Sequence, residues 1–387
     1  MARRGHPRGA RSVAPARHPA YRSGRLGRVS DVLHLRGPVL VGPEEEVAEA
    51  WVVGGRLTFE RPARVDAVLE GWVLPGLVDA HCHVGLGAQG EVPREVAEEQ
   101  ARTDRDAGAL LLRDAGQPGD TRWIDEREDL PVVVRAGRHI ARSRRYLRNY
   151  GVEIDPSDLV AAVQEQARRG DGWVKLVGDW IDRDLGDLAP CWPLEALRPA
   201  IAAAHELGAR VTAHCFGEDC LPDLLAAGID CVEHATGLTP ATTEQAAAAG
   251  VTVVPTLINI ATFPQIAAPA AEKFPSYARH MLALHERRYA VVSAAFEAGI
   301  PVRAGTDAGG SLAHGRVADE VRELHAAGIP RLAALDAACW GARTWLGRPG
   351  LAEGAPADLV VYAADPRLDL AVLSAPRHVV LRGVRIL

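Results

Sequence analysis

The sequence predicts an α/β protein: a (β/α)8, TIM-like barrel carrying a small β-sandwich domain made from both ends of the chain. Two observations point there. From Gly76 onward, short apolar runs alternate with Ala-rich amphipathic stretches, the rhythm of repeated βα units and a parallel sheet. Before and after that region, shorter runs alternate apolar and polar residues around glycine-rich turns, as half-buried strands do. An open doubly wound sheet is the competitor, but no glycine-rich dinucleotide fingerprint opens the first βα turn.

In chain order, residues 1–28 read as a disordered basic tail, with eight arginines, no acid and no apolar periodicity. The Arg3–Arg4 pair lacks the apolar stretch that an export signal requires. A solvated tail, or a translation start placed too far upstream, is the plain reading; a transit peptide or an anion-binding arm is the alternative. Residues 29–74 (DVLHLRGPVLVG, EEEVAEAWVVGGRLTFE) and 355–387 (GAPADLVVYAADP, HVVLRGVRIL) supply the small β-domain. Residues 75–354 form the barrel. Its eight strands are PGLVDAHCHV, GALLLRDAG, PVVVRAG, GWVKLVG, ARVTAHC, IDCVEHA, VTVVPTL and IPVRAGTDAG. Helices such as DPSDLVAAVQEQARRG and PLEALRPAIAAAHELGA separate several of them, each stopped by a glycine. The stretch from Ser276 to Gly299 is another.

Charge and cysteine usage exclude several classes. The net charge is -6, and outside residues 1–28 it is near -14, from 36 basic against 50 acidic residues. That acidic body argues against nucleic acid as a partner. No window approaches the ~20 apolar residues of a membrane span. Six cysteines in 387 residues do not make a disulfide framework. Cys82 and Cys215 adjoin histidines but should face the other side of their strands, as small buried apolar residues in a reducing compartment. The expectation is a cytoplasmic protein with a small-molecule substrate; a homo-oligomer stays open.

His81 and His83 lie two apart in DAHCHVGL, so on a strand both imidazoles share a face. His214 ends the fifth strand, His234 the sixth and Asp307 the eighth, and in a parallel barrel such ends meet on one rim. Four neutral imidazoles and a carboxylate suit zinc, manganese, iron or nickel. Each residue alone has a structural reading: a satisfied core histidine, or an N-cap for Asp307. Five metal-type residues on one rim are hard to produce by packing. Lys175 adds a further oddity. Of 44 basic residues only Lys175 and Lys273 are lysines, and Lys175 sits in the apolar run WVKLV. Its structural reading is a barrel lysine paired with a carboxylate such as Asp179.

GWVLPGLVDAHCHVGL, the strand-end His214 and His234, AGTDAG and the tail LAEGAPADLVVYAADP together resemble the amidohydrolase superfamily, from about residue 29 to 387. VEHATGL, VVPTL and GTDAG with its following HG are similar to the imidazolonepropionase-like and prolidase-like branches. The resemblance implies two divalent metal ions, zinc foremost. His81, His83 and Asp307 would hold the buried ion, His214 and His234 the more exposed one. Lys175, carboxylated by carbon dioxide, would bridge them together with a hydroxide. The chemistry is consistent: burial beside cations depresses a lysine pKa and frees the amine to react. The carbamate's two oxygens then bridge two cations, which arginine cannot do. The implied reaction is hydrolysis of a C–N or C–O bond at a carbonyl carbon, with Asp307 as general base and then acid.

Specificity is expected from the loops. AGRHIARSRRYLRNYG after the third strand could clamp a substrate carboxylate, as a dipeptide or N-acyl amino acid would supply; a solvated basic loop is the alternative. His139, Tyr146, Trp180 and His314 are candidate substrate residues, and Arg113 and Asp114 candidate pocket residues. Glu233 is either a support for the ligands or solvated. His205, His280, His285 and His325 read as surface residues on helices. Two rival functions remain: a mononuclear deaminase or cyclic amidase using Glu218 as proton donor, and a metal-free scaffold. The first usually lacks the strand-four lysine. The second predicts eroded ligands, whereas all six positions are filled here.

Overall fold

The structure, a computed structural model, describes residues 32–387; the expected disordered tail, residues 1–28, lies outside the described residues. Strands β1 (Leu33–Leu40), β2 (Glu46–Val53), β3 (Arg56–Thr58), β4 (Ala67–Glu70) and β5 (Trp72–Pro75) come first. The middle of the chain forms β6 (Leu77–Gly87), β7 (Gly90–Glu91), β8 (Ala109–Asp114), β9 (Val132–Arg135), β10 (His139–Arg142) and β11 (Gly151–Ile154). It continues with β12 (Trp173–Val177), β13 (Asp179–Asp182), β14 (Asp187–Pro190), β15 (Arg210–Cys215), β16 (Cys231–His234), β17 (Thr252–Val254) and β18 (Ala308–Gly310). The last strands are β19 (Leu359–Tyr362), β20 (His378–Leu381) and β21 (Val384–Arg385).

Both ends of the described chain meet in one eight-stranded sheet, ordered β21-β20-β19-β5-β1-β2-β3 with β4 also on β1. The first half of β1 pairs with β4, and Val39 in its second half faces Val73 of β5. Every second residue of these strands goes inward, so that Leu33, Leu35, Leu69, Val73, Val361 and Val380 share one apolar cluster. The expected sandwich is therefore one continuous hydrogen-bonded sheet around its own core.

Two further sheets are parallel along their main paths: β18-β6-β8-β9, and β11-β10-β12-β15-β16-β17. Strands β6, β8, β12, β15, β16 and β17 are buried along nearly their whole length, because helices cover their outer faces. Helix Leu194–Glu206, for example, buries Leu197, Ala200, Ile201 and Ala204, one stripe of a 3.6-residue period, in a cluster with Val174 of β12 and Val211 of β15. Seven of the eight expected runs form ladders. The eighth does so only in part: Val302 meets Val253 at one isolated bridge, and the short β18 pairs with β6. Pro301 has no N–H to give a ladder, and Asp307 leaves extended geometry at φ 59°. Hydrogen bonds still attach this segment on both sides, from Val253 N to Pro301 O (2.9 Å) and from Ala80 N to Ala304 O (2.8 Å).

The arginine-rich segment expected as a loop contains β10 and β11 instead. β10 pairs with β12 through Ile140 and Leu176, the flank where the third predicted strand would have lain. A second addition is the β13–β14 hairpin, which helix Pro275–Glu297 braces. His280 on that helix, read from sequence as a surface residue, is partly buried. Its Nδ1 is 2.9 Å from Asp187 of β14 and its Nε2 2.8 Å from Glu218, which also pairs with Arg287. Both nitrogens face carboxylates, so the hydrogen bond to Glu218 and then that to Asp187 push the imidazole up to about 9. A raised pKa stabilises the fold fully below the unfolded-state value of about 6.5, and the contribution is lost as pH rises through 9. The melting-temperature gap between wild type and His280→Gln should therefore be widest below about pH 6.5 and close above pH 9, by scanning calorimetry across pH; a gap independent of pH would contradict the bridge.

Candidate active site

The ends of the parallel strands open into one cavity of about 290 Å³. β6 brings His81 and His83 to it, β12 Lys175, β15 His214 and β16 His234, and Asp307 enters just ahead of β18. Two glycines let that last segment press against β6. A Cβ at Gly305 would meet His81 Cβ at 2.6 Å, and one at Gly309 (φ 113°) would meet the His83 carbonyl oxygen at 2.7 Å. Buried Asp79 ties the same two segments, accepting from Thr306 N (3.0 Å), Thr306 Oγ1 (2.5 Å) and His81 N (3.1 Å). Its burial pushes the carboxyl up to about 7. Four of the seven described non-glycine residues with positive φ, His234, Ala235, Thr256 and Asp307, sit at this site. Such backbone costs on the order of 1–3 kcal/mol per residue and collects where geometry is imposed by function.

The two β6 histidines are locked by what lies behind them. His83 Nδ1 donates to the Gly116 carbonyl at 2.5 Å, and His81 Nδ1 donates to the Glu233 carboxylate at 2.8 Å. With Nδ1 donating, each ring when neutral turns an Nε2 lone pair toward the cavity. The two Nε2 atoms lie 3.1 Å apart, and both approach Asp307 Oδ1, at 3.1 Å from His81 and 2.9 Å from His83. Burial alone would raise the Asp307 pKa, but the His81 and His83 imidazoles hold it well below the usual carboxylate range. With a cation in place of any proton between them, the two Nε2 lone pairs and the carboxylate would converge on it. One ligand atom each from His81, His234 and Asp307 can also be chosen so that all lie within 4.8 Å of one another.

Glu233 is not solvated. It is fully buried, accepts from Arg113 (2.5 Å) and from Thr212 Oγ1, and bonds His81. Burial would raise its pKa, but Arg113, His81 and Lys175 hold it well below the ordinary value. Lys175 has no partner of this kind. Asp179, its expected partner, accepts from Phe216 N (3.0 Å) and Gly217 N (2.6 Å), and no carboxylate of the described residues forms an ion pair with Nζ. Burial lowers the Lys175 pKa, against the opposing pull of Glu233 and Asp307. His214 Nε2 is buried with no hydrogen-bond partner, and His234 is held through Nδ1 and Thr256 Oγ1 at 2.7 Å.

Of the other candidates, His139, Tyr146 and Trp180 line the cavity, whereas His314 does not. His314 turns away to Asp104, with Nδ1 2.7 Å from Oδ2. His139 lies on β10, is fully buried, and neither ring nitrogen finds a partner. Burial, and then His83 and Lys175, hold its pKa well below the usual value, so it is neutral. Seven rings make a closed circuit: His81–His83 (5.0 Å), His83–His139 (5.0 Å), His139–Tyr146 (5.4 Å), Tyr146–Trp180 (4.8 Å), Trp180–His214 (5.4 Å), His214–His234 (4.7 Å) and His234–His81 (5.2 Å). Arg113 and Asp114 lie beneath the cavity rather than on its wall. Glu218 is likewise outside, engaged with His280 and Arg287. Sequence reasoning missed Asn259, Phe216, Tyr150 and Tyr277. Asn259, hidden in the apolar run TLINI, donates Nδ2 to Asp307 Oδ2 at 2.6 Å.

The amidohydrolase family matches residues 72–386. Uncharacterized proteins of Mycobacterium tuberculosis and Mycobacterium bovis are each 58% identical over 353 residues, which is 91% of this chain and 95% of theirs. Among solved structures, a Xaa-Pro dipeptidase with bound methionine is similar at TM-score 0.75 and 21% identity, over 92% of this chain and 99% of its own. A putative prolidase from Bifidobacterium longum reaches 0.76 at 21% identity (92% and 94%), and the A. niger ochratoxinase 0.75 at 18% (92% and 95%). At these identities the structural likeness is one of fold. The match from Trp72 to Ile386 contains every residue of the cavity, and the chain belongs to the amidohydrolase family: it is a metal-dependent hydrolase acting on carbon–nitrogen bonds.

Proposed function

We propose that the cavity holds two divalent metal ions, zinc foremost, bridged by Lys175 as its carbamate, and that the chain hydrolyses an amide-like or ester bond of a small molecule. What carries the proposal is the convergence of the His81 and His83 Nε2 atoms on Asp307, with a buried Lys175 amine that has no ion pair among the described residues, and with His214 and His234 lining the same cavity. His81, His83 and Asp307 would hold one ion, His214 and His234 the other. When bound, the ions would supply a water acidified toward neutrality and would polarise the scissile carbonyl.

The chain's own groups do the rest. The lowered Lys175 pKa increases the neutral amine, whose nitrogen attacks the carbon of carbon dioxide, forming a C–N bond and releasing a proton to solvent. Asp307 accepts a proton from the attacking water and delivers it to the leaving nitrogen or oxygen. Asn259 fixes its Oδ2, so the carboxylate is oriented before substrate arrives. Glu233 and the Gly116 carbonyl keep His81 and His83 in the ligating tautomer. The surrounding aromatic rings lower the local dielectric, which strengthens each of these electrostatic contacts.

The deaminase alternative loses support, because Glu218, its proton donor, is engaged elsewhere. The dipeptide and N-acyl amino acid reading rested on arginines of the segment 136–151, none of which lines the cavity. For the scaffold we propose residues 29–74 with 355–387 as a small β-domain and residues 75–354 as a closed (β/α)8 barrel. Supporting closure, the segment 301–304 bonds to β17 and β6, and Asp171 N bonds to Arg135 O (2.7 Å) on the opposite side. All six cysteines are free and buried, and no helix of the described residues is long and apolar enough to cross a membrane. The cytoplasm, where thiols stay reduced, is the compartment we propose.

Lys175→Ala should lower bound metal from two ions per chain to one or none, read by elemental analysis, with activity partly restored by formate or acetate; unchanged metal content and full activity would sink the bridge. Asp307→Asn should lower kcat/KM by roughly 10²- to 10⁴-fold, the usual weight of a general acid–base group. Circular dichroism should show that variant still folded, and wild-type turnover from it would remove Asp307 from the chemistry.

A further inference from the structure

We infer that the cavity selects an uncharged substrate carrying an aromatic or apolar group beside the scissile amide, and selects against a free carboxylate. The inference deepens the hydrolase reading above and rests on it. Beside the histidines the cavity wall is made by Tyr146, Trp180, Phe216 and Tyr277, with Leu147 and Ile266 at the mouth, 44% and 40% exposed. Among the described lining residues only Lys175 and Asp307 carry ionisable charge apart from the histidines, and the proposed centre uses both.

The arginines that would have paired a carboxylate face elsewhere. Arg145 gives Nη1 to Asp182 (2.7 Å) and Nη2 to the carbonyls of Trp180 (2.9 Å) and Ala189 (2.8 Å), bracing the wall from behind. Arg142 reaches the Cys191 carbonyl at 3.4 Å. A substrate carboxylate lodged against the aromatic wall would therefore meet no arginine or lysine side chain there, and aromatic faces present negative charge to it. An uncharged aromatic group meets Tyr146 and Trp180, themselves packed edge to face at 4.8 Å, on favourable terms. The polar groups left on the lining, Ser311 and the tyrosine hydroxyls, are uncharged and can both donate to and accept from an amide.

The test compares 4-acetamidobenzamide with 4-acetamidobenzoate on the metal-loaded full chain, following acetate release. The two differ by one charge at nearly equal shape. The neutral probe should be favoured by about 100-fold or more in kcat/KM, the scale of an unpaired buried charge. Calorimetric titration of the metal-stripped full chain with benzamide and benzoate reads the wall's own preference as Kd, free of carboxylate–metal contacts, and decides the matter if neither acetamide turns over. Ile266→Arg, a change at an exposed rim position, should narrow the gap at least tenfold by supplying the missing cation. Equal or better use of the carboxylate by wild type overturns this inference and leaves the hydrolase reading intact. Failure of that reading would show instead in metal content that Lys175→Ala does not alter.

Discussion

A single buried carboxylate couples the two parallel sheets to the site between them. Glu233 comes from β16, and its partners come from three other strands: Arg113 from β8, His81 from β6 and Thr212 from β15. Arg113 is itself fully buried, gives Nε to the Ala80 carbonyl at 2.6 Å, and lies over the rings of Trp173 and Trp345 at 4.7 and 4.9 Å. Ions taken out of water are tolerated only when paired and hydrogen-bonded, and losing one partner costs about 3–5 kcal/mol. The pairing here crosses from one sheet to the other, so it exists only when both are assembled in register. The same carboxylate sets the His81 tautomer. Assembly of the interior and orientation of the His81 ring toward the cavity are one event.

That coupling also explains which features were legible in the sequence. His81, His83, Lys175, His214 and His234 could be read because each sits at the end of an apolar run, and a parallel sheet carries such ends to one side. Period-two alternation is local, so the shared face of His81 and His83 needed no tertiary knowledge. Glu233 could not be read in this way: its principal partner is 120 residues away, and a Glu beside a strand-end histidine looks alike whether solvated or buried. Asn259 was hidden in an apolar run for the same reason.

Loops were the least legible part. The arginines of residues 138–148 suggested anion recognition by composition, yet β10 and β11 order that segment and Arg145 is spent on backbone carbonyls. His314 is seven residues from Asp307 in sequence, but the turn closed between Gly309 and Leu312 (3.0 Å) sends it to Asp104 instead. Direction in a loop depends on tight turns and distant acceptors, neither of which has a period.

The contrast between the two kinds of cation is where the central claim rests. Arg113, Arg135 and Arg145 each use the five-donor fork on two or more partners. Lys175, one of two lysines in the chain, is buried at the cavity without an ion pair among the described residues. An amine so placed is suited to covalent capture of carbon dioxide rather than to pairing. The most direct test is carbon-13 NMR of metal-loaded protein prepared with labelled bicarbonate. A carbamate carbon resonance that disappears in Lys175→Arg is predicted. A fully metal-loaded, active enzyme with an unmodified lysine and no such resonance would contradict the account.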